Sequence, residues 1–269
     1  MIKIKNTLIA VGEPVFIIAE AGVNHNGNLN LAKKLVDVAR DAGADAVKFQ
    51  TFKAENVATA NAPMAAYQKK NMGKEGSQLD MIRKLELSFQ DFAALKGYCD
   101  KKGILFLSTP HSFDAVDFLD PLVPAYKIGS GDLTNIPLLE HVSQKNKPII
   151  LSTGMANIGE IEEAIKAIRG KGNNQIIVMH CTTSYPCPLK DVNLRAMGAI
   201  KKKFNVLVGY SDHTLGIEVP KLASQIGAVA IEKHFTIDKN LPGPDHKASL
   251  DPTELKEMVR AIKEKDTNC

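Results

Sequence analysis

A charged tripeptide ends one of the apolar runs in this chain. Ala228–Ile231 has the composition of a buried strand and leads directly into Glu232, Lys233 and His234. Side chains alternate between the two faces of a strand, so Glu232 and His234 share a face. Carboxylate and imidazole groups transfer protons, and imidazole binds metals. Either this strand ends in bulk water, or it opens into a site that requires charge.

Polar residues also follow seven other apolar runs. Strand ends near water are often polar, but recurrence on all eight runs favours a common polar well. Lys48 and Gln50 share a face by the same alternation. The polar residues at these ends are Glu20, Lys48, Gln50, Ser108, Thr109, Lys127, Ser130, Ser152, Thr153, His180, Thr182, Thr183, Ser211, Asp212, His213, Glu232 and His234.

Two histidines follow neighbouring runs of the predicted sheet. His213 follows the seventh run and His234 ends the eighth. Adjacent strands lie about 4.8 Å apart, so the two imidazoles could chelate one metal. Two histidine ligands would leave positions open for water and substrate. A histidine at a strand end is more often a hydrogen-bonding residue, so the spacing alone leaves both interpretations open.

The strand-end hydroxyls and two lysines suit an anion. Serine and threonine hydroxyls can surround phosphate oxygens, and the ammonium groups of Lys48 and Lys127 supply positive charge. This pattern is spread over several strands and does not by itself name a substrate.

Eight nearly continuous apolar runs alternate with amphipathic segments. The runs are 15–22, 46–51, 104–110, 125–131, 148–154, 175–182, 206–212 and 229–236, and the segments between them include 30–41, 89–102, 158–169, 194–202 and 217–226. Continuous apolar runs are typical of parallel strands covered by helices. Eight such units in about 250 residues predict an α/β fold of the TIM (β/α)8 barrel type. A doubly wound sheet would need a glycine-rich phosphate turn after its first strand, and EAGVNHNGN lacks that pattern.

Three segments lie outside the repeat. Residues 1–14 are expected to form a short hairpin that plugs the lower end of the barrel, and residues 15–263 are expected to form the barrel domain. Residues 264–269 are expected to be a polar tail. Residues 52–88 form a long connection on the predicted catalytic face, where a lid with a short helix at 79–87 is expected.

Composition and charge exclude several classes of protein. The net charge of +4 is too diffuse to indicate a nucleic-acid partner. The chain has neither a signal peptide nor an apolar run long enough to span a membrane, which predicts a cytoplasmic protein without a membrane partner. Cys99, Cys181, Cys187 and Cys269 show no CxxC spacing and are expected to be free thiols.

Eight ordered motifs resemble those of the sialic acid synthase family. They are FIIAEAGVNHNG (16–27), DAGADAVKFQTF (41–52), FLSTP (106–110), KIGSGDL (127–133), LSTGM (151–155), CTTSYPCP (181–188), VGYSDHT (208–214) and EKHFTID (232–238) with GPDH (243–246). Members of this family condense phosphoenolpyruvate with N-acylated mannosamine-type sugars. The resemblance implies an enzyme with that activity and a C–C bond-forming step.

The resemblance also implies roles for individual residues. Those implied to bind phosphoenolpyruvate are Lys48, Thr109, Lys127, Ser130, Ser152, Thr183 and Ser211, and those implied to meet the sugar are Gln50, Asp132, Tyr185 and Asp245. Glu20, Asp245 and Lys48 are implied to be catalytic. His213 and His234 are implied to bind a divalent cation, Mn²⁺ or Mg²⁺. Asp132 and Thr183 differ from some relatives, which carry Glu and Asn at these positions.

Two alternatives to this function stay open at this stage. The chain could be a 3-deoxy sugar-acid synthase that uses a phosphorylated aldose, although SDHT and GPDH favour the sialic acid side. It could instead bind a sugar without turnover, which the joint presence of the polar residues above disfavours. The resemblance leaves two kinds of amino sugar open, N-acetylmannosamine and its 6-deoxy diacetamido relatives.

Two further expectations concern assembly. Family members usually continue into a C-terminal antifreeze-like domain that covers the partner's site in a homodimer. Since the sequence stops at Cys269, the expectation is a barrel without that domain, with weakened sugar binding. A homodimer is implied by the resemblance only.

Overall fold

Eight parallel strands form a barrel with helices around it. The computed structural model describes residues 1–65, 68–69, 71 and 76–266. The barrel strands are β3 Phe16–Gly22, β4 Ala46–Thr51, β5 Leu105–Pro110, β6 Tyr126–Ile128, β7 Ile149–Ser152, β8 Ile176–His180, β9 Leu207–Asp212 and β10 Ala230–His234. Their order is β5-β4-β3-β10-β9-β8-β7-β6. Within the described residues no ladder joins β5 to β6, so the hydrogen-bonded sheet is nearly closed. The predicted barrel is confirmed.

Helices follow the strands and cover the outside of the barrel. The α-helices are Leu29–Ala42, Ala54–Val57, Gln78–Arg83, Phe89–Lys102, Phe113–Leu119, Ile136–Ser143, Ile158–Gly170, Arg195–Phe204, Glu218–Gln225 and Pro252–Asp266. Local sequence fixes several of their ends. Asn28 accepts hydrogen bonds from the backbone N–H groups of Asn30 and Leu31, and Asp251 and Glu254 form a reciprocal capping box around Pro252. The last helix continues through Asp266, past the predicted boundary at 263, and residues 267–269 lie outside the described part of the chain.

The N-terminal hairpin packs on the starting ends of the barrel strands. β1 Ile2–Ile4 pairs antiparallel with β2 Thr7–Ile9. Ile2, Ile4 and Ile9 are buried in a cluster with residues of the barrel. Those barrel residues are Phe16, Ile18, Ala46, Leu107, Ala125, Ile150, Ile177, Met179, Val229 and Ala230. The hairpin therefore covers the lower end of the barrel interior.

Inward-facing residues change from apolar to polar along each strand. On β3, Phe16 and Ile18 lie in the lower cluster and Glu20 follows them on the same face, while Ile17 and Ala19 pack outward against the helices. The same order holds on β10, where Ala230 precedes Glu232. The barrel interior is thus an apolar core below and a polar well above.

The long connection after β4 packs against Val23, directly after β3. Phe52, Met64, Met81 and Leu85 pack together with Val23 in a small apolar cluster. The short helix predicted at 79–87 is present as Gln78–Arg83. Residues 66–67, 70 and 72–75 lie outside the described residues, and the role of this connection as a lid stays a prediction.

Candidate active site

The upper barrel interior is a cavity of about 140 Å³. Its lining residues are Glu20, Lys48, Gln50, Thr109, His111, Lys127, Gly129, Ser130, Gly131, Ser152, Met155, Cys181, Thr183, Tyr185, Ser211, His213, Glu232 and His234. Every residue to which the family resemblance assigned a role lines this cavity except Asp132 and Asp245. We call it the main cavity.

Four buried charges pair with one another at the bottom of the main cavity. Lys48 Nζ lies 2.7 Å from Glu20 Oε1 and 3.8 Å from Glu232 Oε2. Lys127 Nζ lies 3.2 Å from Glu232 Oε1. All four side chains are at most 5% exposed. Two ammonium groups and two carboxylates therefore nearly balance in a volume from which bulk water is largely excluded.

The pKa values of these carboxyl groups move in opposite directions. Burial raises the pKa of Glu20, and its partner Lys48 offsets only part of that rise. Burial would also raise the pKa of Glu232, but Lys127 and Lys48 together lower it to about 2. Glu232 is therefore the ionised partner of both lysines, whereas Glu20 is the carboxyl that accepts a proton more readily.

Glu232 is a site residue to which the sequence reasoning assigned no role. It joins both lysines and also accepts a hydrogen bond from Ser211 Oγ at 3.0 Å. The available signal was its alternation with His234 on one strand face. Not all strand-end polar residues face the cavity: His180 Nε2 donates outward to the Val192 carbonyl at 2.9 Å.

Hydroxyl groups surround the two lysines. Lys48 Nζ donates to Thr109 Oγ1 at 3.3 Å, and Lys127 Nζ donates to Ser152 Oγ at 2.8 Å. Ser130 Oγ accepts the backbone N–H of Gly154 at 2.9 Å. These donors come from β4, β5, β6 and β7 and the loops after them, so barrel closure is what assembles the cluster. Such a set of ammonium and hydroxyl groups can hold a small anion.

Gly154 permits a close approach of the loops above β7 and β8. A Cβ at this position would lie 2.2 Å from Thr183 Oγ1 and 2.8 Å from Ser130 Oγ. Any side chain there would displace the hydroxyl groups that line the cavity. Glycine is thus required by the space at the site.

His213 and His234 lie side by side at the top of the main cavity. Their ring centroids are 5.7 Å apart, and Tyr185 packs on His213 at 4.2 Å. His213 Nδ1 donates to the Thr182 carbonyl at 2.7 Å, which leaves Nε2 as the lone-pair atom. Burial lowers the pKa of both histidines, and for His234 the neighbouring His213 lowers it further.

This histidine pair fits a divalent cation. Metal ligation requires neutral imidazole, and both rings are held in that state. His234 Nδ1 is buried without a hydrogen-bond partner in the described structure. Among the described residues, no group of three or more His, Cys, Asp or Glu side chains is arranged to hold a metal. The two imidazoles would therefore leave the remaining positions of a metal to water or substrate.

A buried ion pair behind the strands holds the loop that carries His213. Lys233 and Asp212 contact each other directly with fully buried side chains. Asp212 accepts from the N–H and the hydroxyl of Thr214 at 3.2 and 2.8 Å, and Lys233 donates to the Thr214 carbonyl. The backbone on both sides of His213 is thereby fixed.

A second cavity of about 230 Å³ adjoins the main cavity. Gln50, His111, Tyr185 and His234 line both. The remaining wall is mostly apolar and includes Val23, Phe52, Val57, Gln68, Met81, Ile82, Leu85, Pro244 and Asp245. The two cavities could hold two reactants against a shared wall.

Asp245 is the buried acid of the second cavity. Burial, with a smaller contribution from Glu20, raises its pKa to about 7. Ser249 Oγ donates to the Asp245 carbonyl at 2.7 Å, and Asn24 in turn donates to Ser249 at 3.0 Å. The loop after β3 therefore positions the loop that carries Asp245. A carboxyl with this pKa can donate or accept a proton near neutral pH.

Residues 35–268 match the NeuB family model. The chain belongs to the NeuB family. This match confirms the resemblance to the sialic acid synthase family. The residue roles that the resemblance implied stay predictions.

Individual NeuB relatives resemble the chain over most of its length. The N,N'-diacetyllegionaminic acid synthase of Campylobacter jejuni is 52% identical over 251 residues, which are 92% of this chain and 75% of that protein. The enzyme of the same name from Legionella pneumophila is 49% identical over 257 residues, which are 94% and 72% of the two chains. The crystal structure of N-acetylneuraminic acid synthetase from Leptospira borgpetersenii with citrate superimposes with a TM-score of 0.88 at 37% identity, covering 99% of this chain and 89% of that one.

Asp132 is placed differently from the other residues nominated in this NeuB chain. It lines neither cavity as described, and its carboxylate lies 2.8 Å from His111 Nδ1. His111, which lines both cavities, was not nominated from the sequence. Its position directly after the STP motif of β5 is the signal that was available.

Cys99, Cys181 and Cys187 are free and buried, as expected, and Cys269 lies outside the described residues. No described helix combines the length and apolar character needed to cross a membrane.

Proposed function

We propose that this chain joins phosphoenolpyruvate to an N-acylated mannosamine-type sugar and, with water, forms a nonulosonic (sialic-type) acid and phosphate. The observation that carries the proposal is the junction of two cavities with different chemistry. The main cavity is lined by buried lysines and hydroxyl groups. The second cavity is lined by apolar side chains and by Asp245, whose pKa is about 7. This is the arrangement that one anionic and one largely uncharged reactant require.

Phosphoenolpyruvate is assigned to the main cavity. Lys48 and Lys127 would meet its carboxylate and phosphate, with Thr109, Ser130, Ser152, Thr183 and Ser211 donating hydrogen bonds. Both lysines already contact carboxylates, so the entering anion competes with Glu20 and Glu232. The site must therefore bind the anion through many donors rather than through charge alone.

The sugar is assigned to the second cavity, next to Gln50, Tyr185 and Asp245. Its apolar wall suits acyl methyl groups and a deoxygenated carbon. The two relatives described above are named for a product with two acetyl groups. We therefore propose a 6-deoxy diacetamido sugar as the preferred substrate, ahead of N-acetylmannosamine.

The residues of the two cavities supply the proton transfers. C3 of phosphoenolpyruvate forms a bond to the aldehyde carbon of the open-chain sugar, and Asp245 donates a proton to the developing alkoxide. Positive charge then develops at C2, where a water molecule adds and releases its proton to Glu20. Cleavage of the bond between C2 and the phosphate oxygen, with transfer of the C2 hydroxyl proton to the departing phosphate, leaves the keto acid. Holding both reactants against one wall removes much of the entropic barrier.

His213 and His234 would hold the divalent cation that the family uses, Mn²⁺ or Mg²⁺. Bound there, the cation would supply Lewis acidity toward the sugar carbonyl. Tyr185 packs on both rings and would keep them oriented. The Thr182 carbonyl would keep His213 in the tautomer that binds through Nε2.

Phosphate release tests the proposed reaction. Purified protein is incubated with phosphoenolpyruvate, Mn²⁺ and either N-acetylmannosamine or 2,4-diacetamido-2,4,6-trideoxymannose, and the products are identified by mass spectrometry. We expect sugar-dependent phosphate release with incorporation of three carbons, fastest with the diacetamido sugar. Phosphate release without a C–C bond, or no release with either sugar, would contradict the proposal.

Chelation tests the cation site separately. We expect activity to vanish in chelator, to return with Mn²⁺ or Mg²⁺, and Mn²⁺ affinity measured by calorimetry to fall in His213→Ala and His234→Ala. Full activity in chelator, or unchanged affinity in both variants, would exclude this assignment. A homodimer stays a prediction, and sedimentation velocity would measure it.

A further inference from the structure

His111 lies on the boundary between the two cavities. It follows β5 directly, and its side chain is 21% exposed. It is one of the few residues that line both cavities. The edge of its ring meets Phe52, with 6.2 Å between the ring centroids, so its imidazole is held against the apolar wall of the second cavity.

Asp132 fixes how His111 presents its nitrogens. His111 Nδ1 donates to Asp132 Oδ2 at 2.8 Å. With Nδ1 engaged by Asp132, Nε2 is the ring nitrogen left for a ligand, and in neutral imidazole it carries the lone pair. The carboxylate of Asp132 is only 18% exposed and is already engaged by the imidazole.

We infer that His111 binds the sugar through Nε2 and that Asp132 is its positioning residue. This inference rests on the proposed function and adds a substrate-contacting residue to it. The group recognised would be a hydroxyl or an amide N–H of the acylated sugar, because a lone-pair nitrogen accepts a hydrogen bond. A pair that includes a carboxylate would repel the phosphate and carboxylate of phosphoenolpyruvate, so the pair is assigned to the uncharged reactant.

Substitution of His111 tests the contact. His111→Phe keeps a planar ring but removes both nitrogens, whereas His111→Gln keeps a polar group of similar reach. We expect His111→Phe to raise the KM for the sugar about five- to tenfold, the usual effect of losing one hydrogen bond. The KM for phosphoenolpyruvate should stay within about twofold, and His111→Gln should recover part of the loss. If His111→Phe fails to fold, His111→Gln alone carries the comparison, with a smaller expected increase.

A double-mutant cycle tests the role of Asp132. If Asp132 acts through His111, Asp132→Ala should raise the KM for the sugar in the parent chain but have little further effect in His111→Phe. An undiminished effect of Asp132→Ala in His111→Phe would mean that Asp132 meets the sugar itself, and this outcome would overturn the positioning role.

A second His–Asp pair provides the matched control. His141 Nε2 donates to Asp117 Oδ1 at 2.8 Å, its ring also packs edge-on against a phenylalanine, and it lines neither cavity. His141→Phe should leave both KM values unchanged. An unchanged KM for the sugar in His111→Phe, with an active parent chain, would overturn the inference alone.

A failure of the proposed function itself would give a different result. An inactive parent chain would contradict the proposed reaction, and sugar binding would then be measured by calorimetry for the parent chain and His111→Phe. Equal affinity, or no binding by the parent chain, would overturn the inference. Weaker binding by His111→Phe would support it independently of turnover.

Discussion

At the scale of single residues, two buried glutamates of the main cavity have pKa values shifted in opposite directions. Glu232 contacts two lysines, which lower its pKa to about 2, whereas burial raises the pKa of Glu20. Two groups of the same type are thus suited to different roles, Glu232 to that of a fixed counter-charge and Glu20 to the proposed role of proton acceptor. Environment, rather than residue type, sets the difference.

Glu20→Gln tests the proton-accepting role. The amide keeps the shape of the side chain but loses its charge and basicity, so we expect normal folding, a normal KM for the sugar and a kcat lower by about a hundredfold or more. The KM for phosphoenolpyruvate should stay normal or fall, because Lys48 loses a carboxylate that competes with the entering anion. Steady-state kinetics and thermal melting measure both effects. Glu13→Gln, at an exposed glutamate, is the control. A collapse of stability or of substrate binding would instead make Glu20 a structural residue.

Lys48→Ala tests the anion site. A charge-assisted contact contributes about 1.5–3 kcal/mol, so its loss should raise the KM for phosphoenolpyruvate roughly ten- to hundredfold. Lys53→Ala removes a lysine from an exposed ion pair with Asp114 and should leave this KM unchanged. A normal KM for phosphoenolpyruvate in Lys48→Ala would exclude the assignment.

The raised pKa of Asp245 predicts a pH-dependent stability. Its folded-state pKa of about 7 exceeds the ordinary value of 3.8, so the folded chain retains a proton that the unfolded chain loses. Ionising this buried carboxyl therefore costs stability progressively from about pH 4 to about pH 7, and no further above that. The free energy of unfolding of Asp245→Asn, measured relative to that of the parent chain, should therefore increase over this pH interval. Above about pH 7 the difference should stay constant.

Urea unfolding in chelator at about pH 4.5, 6 and 8 measures that difference. Asp41→Asn, at an exposed aspartate, is the matched control. A pH-independent difference between Asp245→Asn and the parent chain would contradict the predicted protonation.

At the scale of elements, the buried ion pair between Asp212 of β9 and Lys233 of β10 holds the loop that carries His213. Lys233→Met would leave Asp212 as an unpaired charge in a dry interior, which typically costs about 3–5 kcal/mol of unfolding free energy. Adding Asp212→Asn removes that charge and should recover part of the loss. Mn²⁺ affinity should fall in Lys233→Met, because Lys233 also holds the Thr214 carbonyl beside His213.

Chemical denaturation and calorimetry measure these two effects. Lys221→Met breaks a more exposed pair with Glu218 and should change neither quantity appreciably. If the double variant is less stable than Lys233→Met, the unpaired charge of Asp212 is not the cause of the lost stability.

At the scale of the whole molecule, stability and chemistry lie at opposite ends of one barrel. Ile4 is fully buried in the lower cluster, so Ile4→Ala should lower the free energy of unfolding by about 2–5 kcal/mol. Both KM values should stay unchanged, because the hairpin lies below the apolar layer. Leu8→Ala, 37% exposed on the same hairpin, should change stability by less than about 0.5 kcal/mol. A changed KM in folded Ile4→Ala would show that the two ends are coupled.

The sequence by itself determined the barrel and most of the residues that line its well. A period of two assigns the face of each strand residue, so Lys48 and Gln50 could be placed together, as could Glu232 and His234. Eight apolar runs with polar ends then require a common polar end in a parallel barrel. Run lengths were less well determined: the run at 125–131 is a strand only over Tyr126–Ile128, because the Gly129–Gly131 stretch turns away.

Only the tertiary structure decided which groups meet. Strand order and register bring Glu20 of β3 and Glu232 of β10 to the same lysine, although the two residues lie near opposite ends of the barrel sequence. The same closure turns Asp132 toward His111 and brings Asp245 beside the histidine wall. Alternation along a strand is a local property of the backbone, whereas partners across the barrel depend on how all eight strands close, and no local pattern encodes that closure.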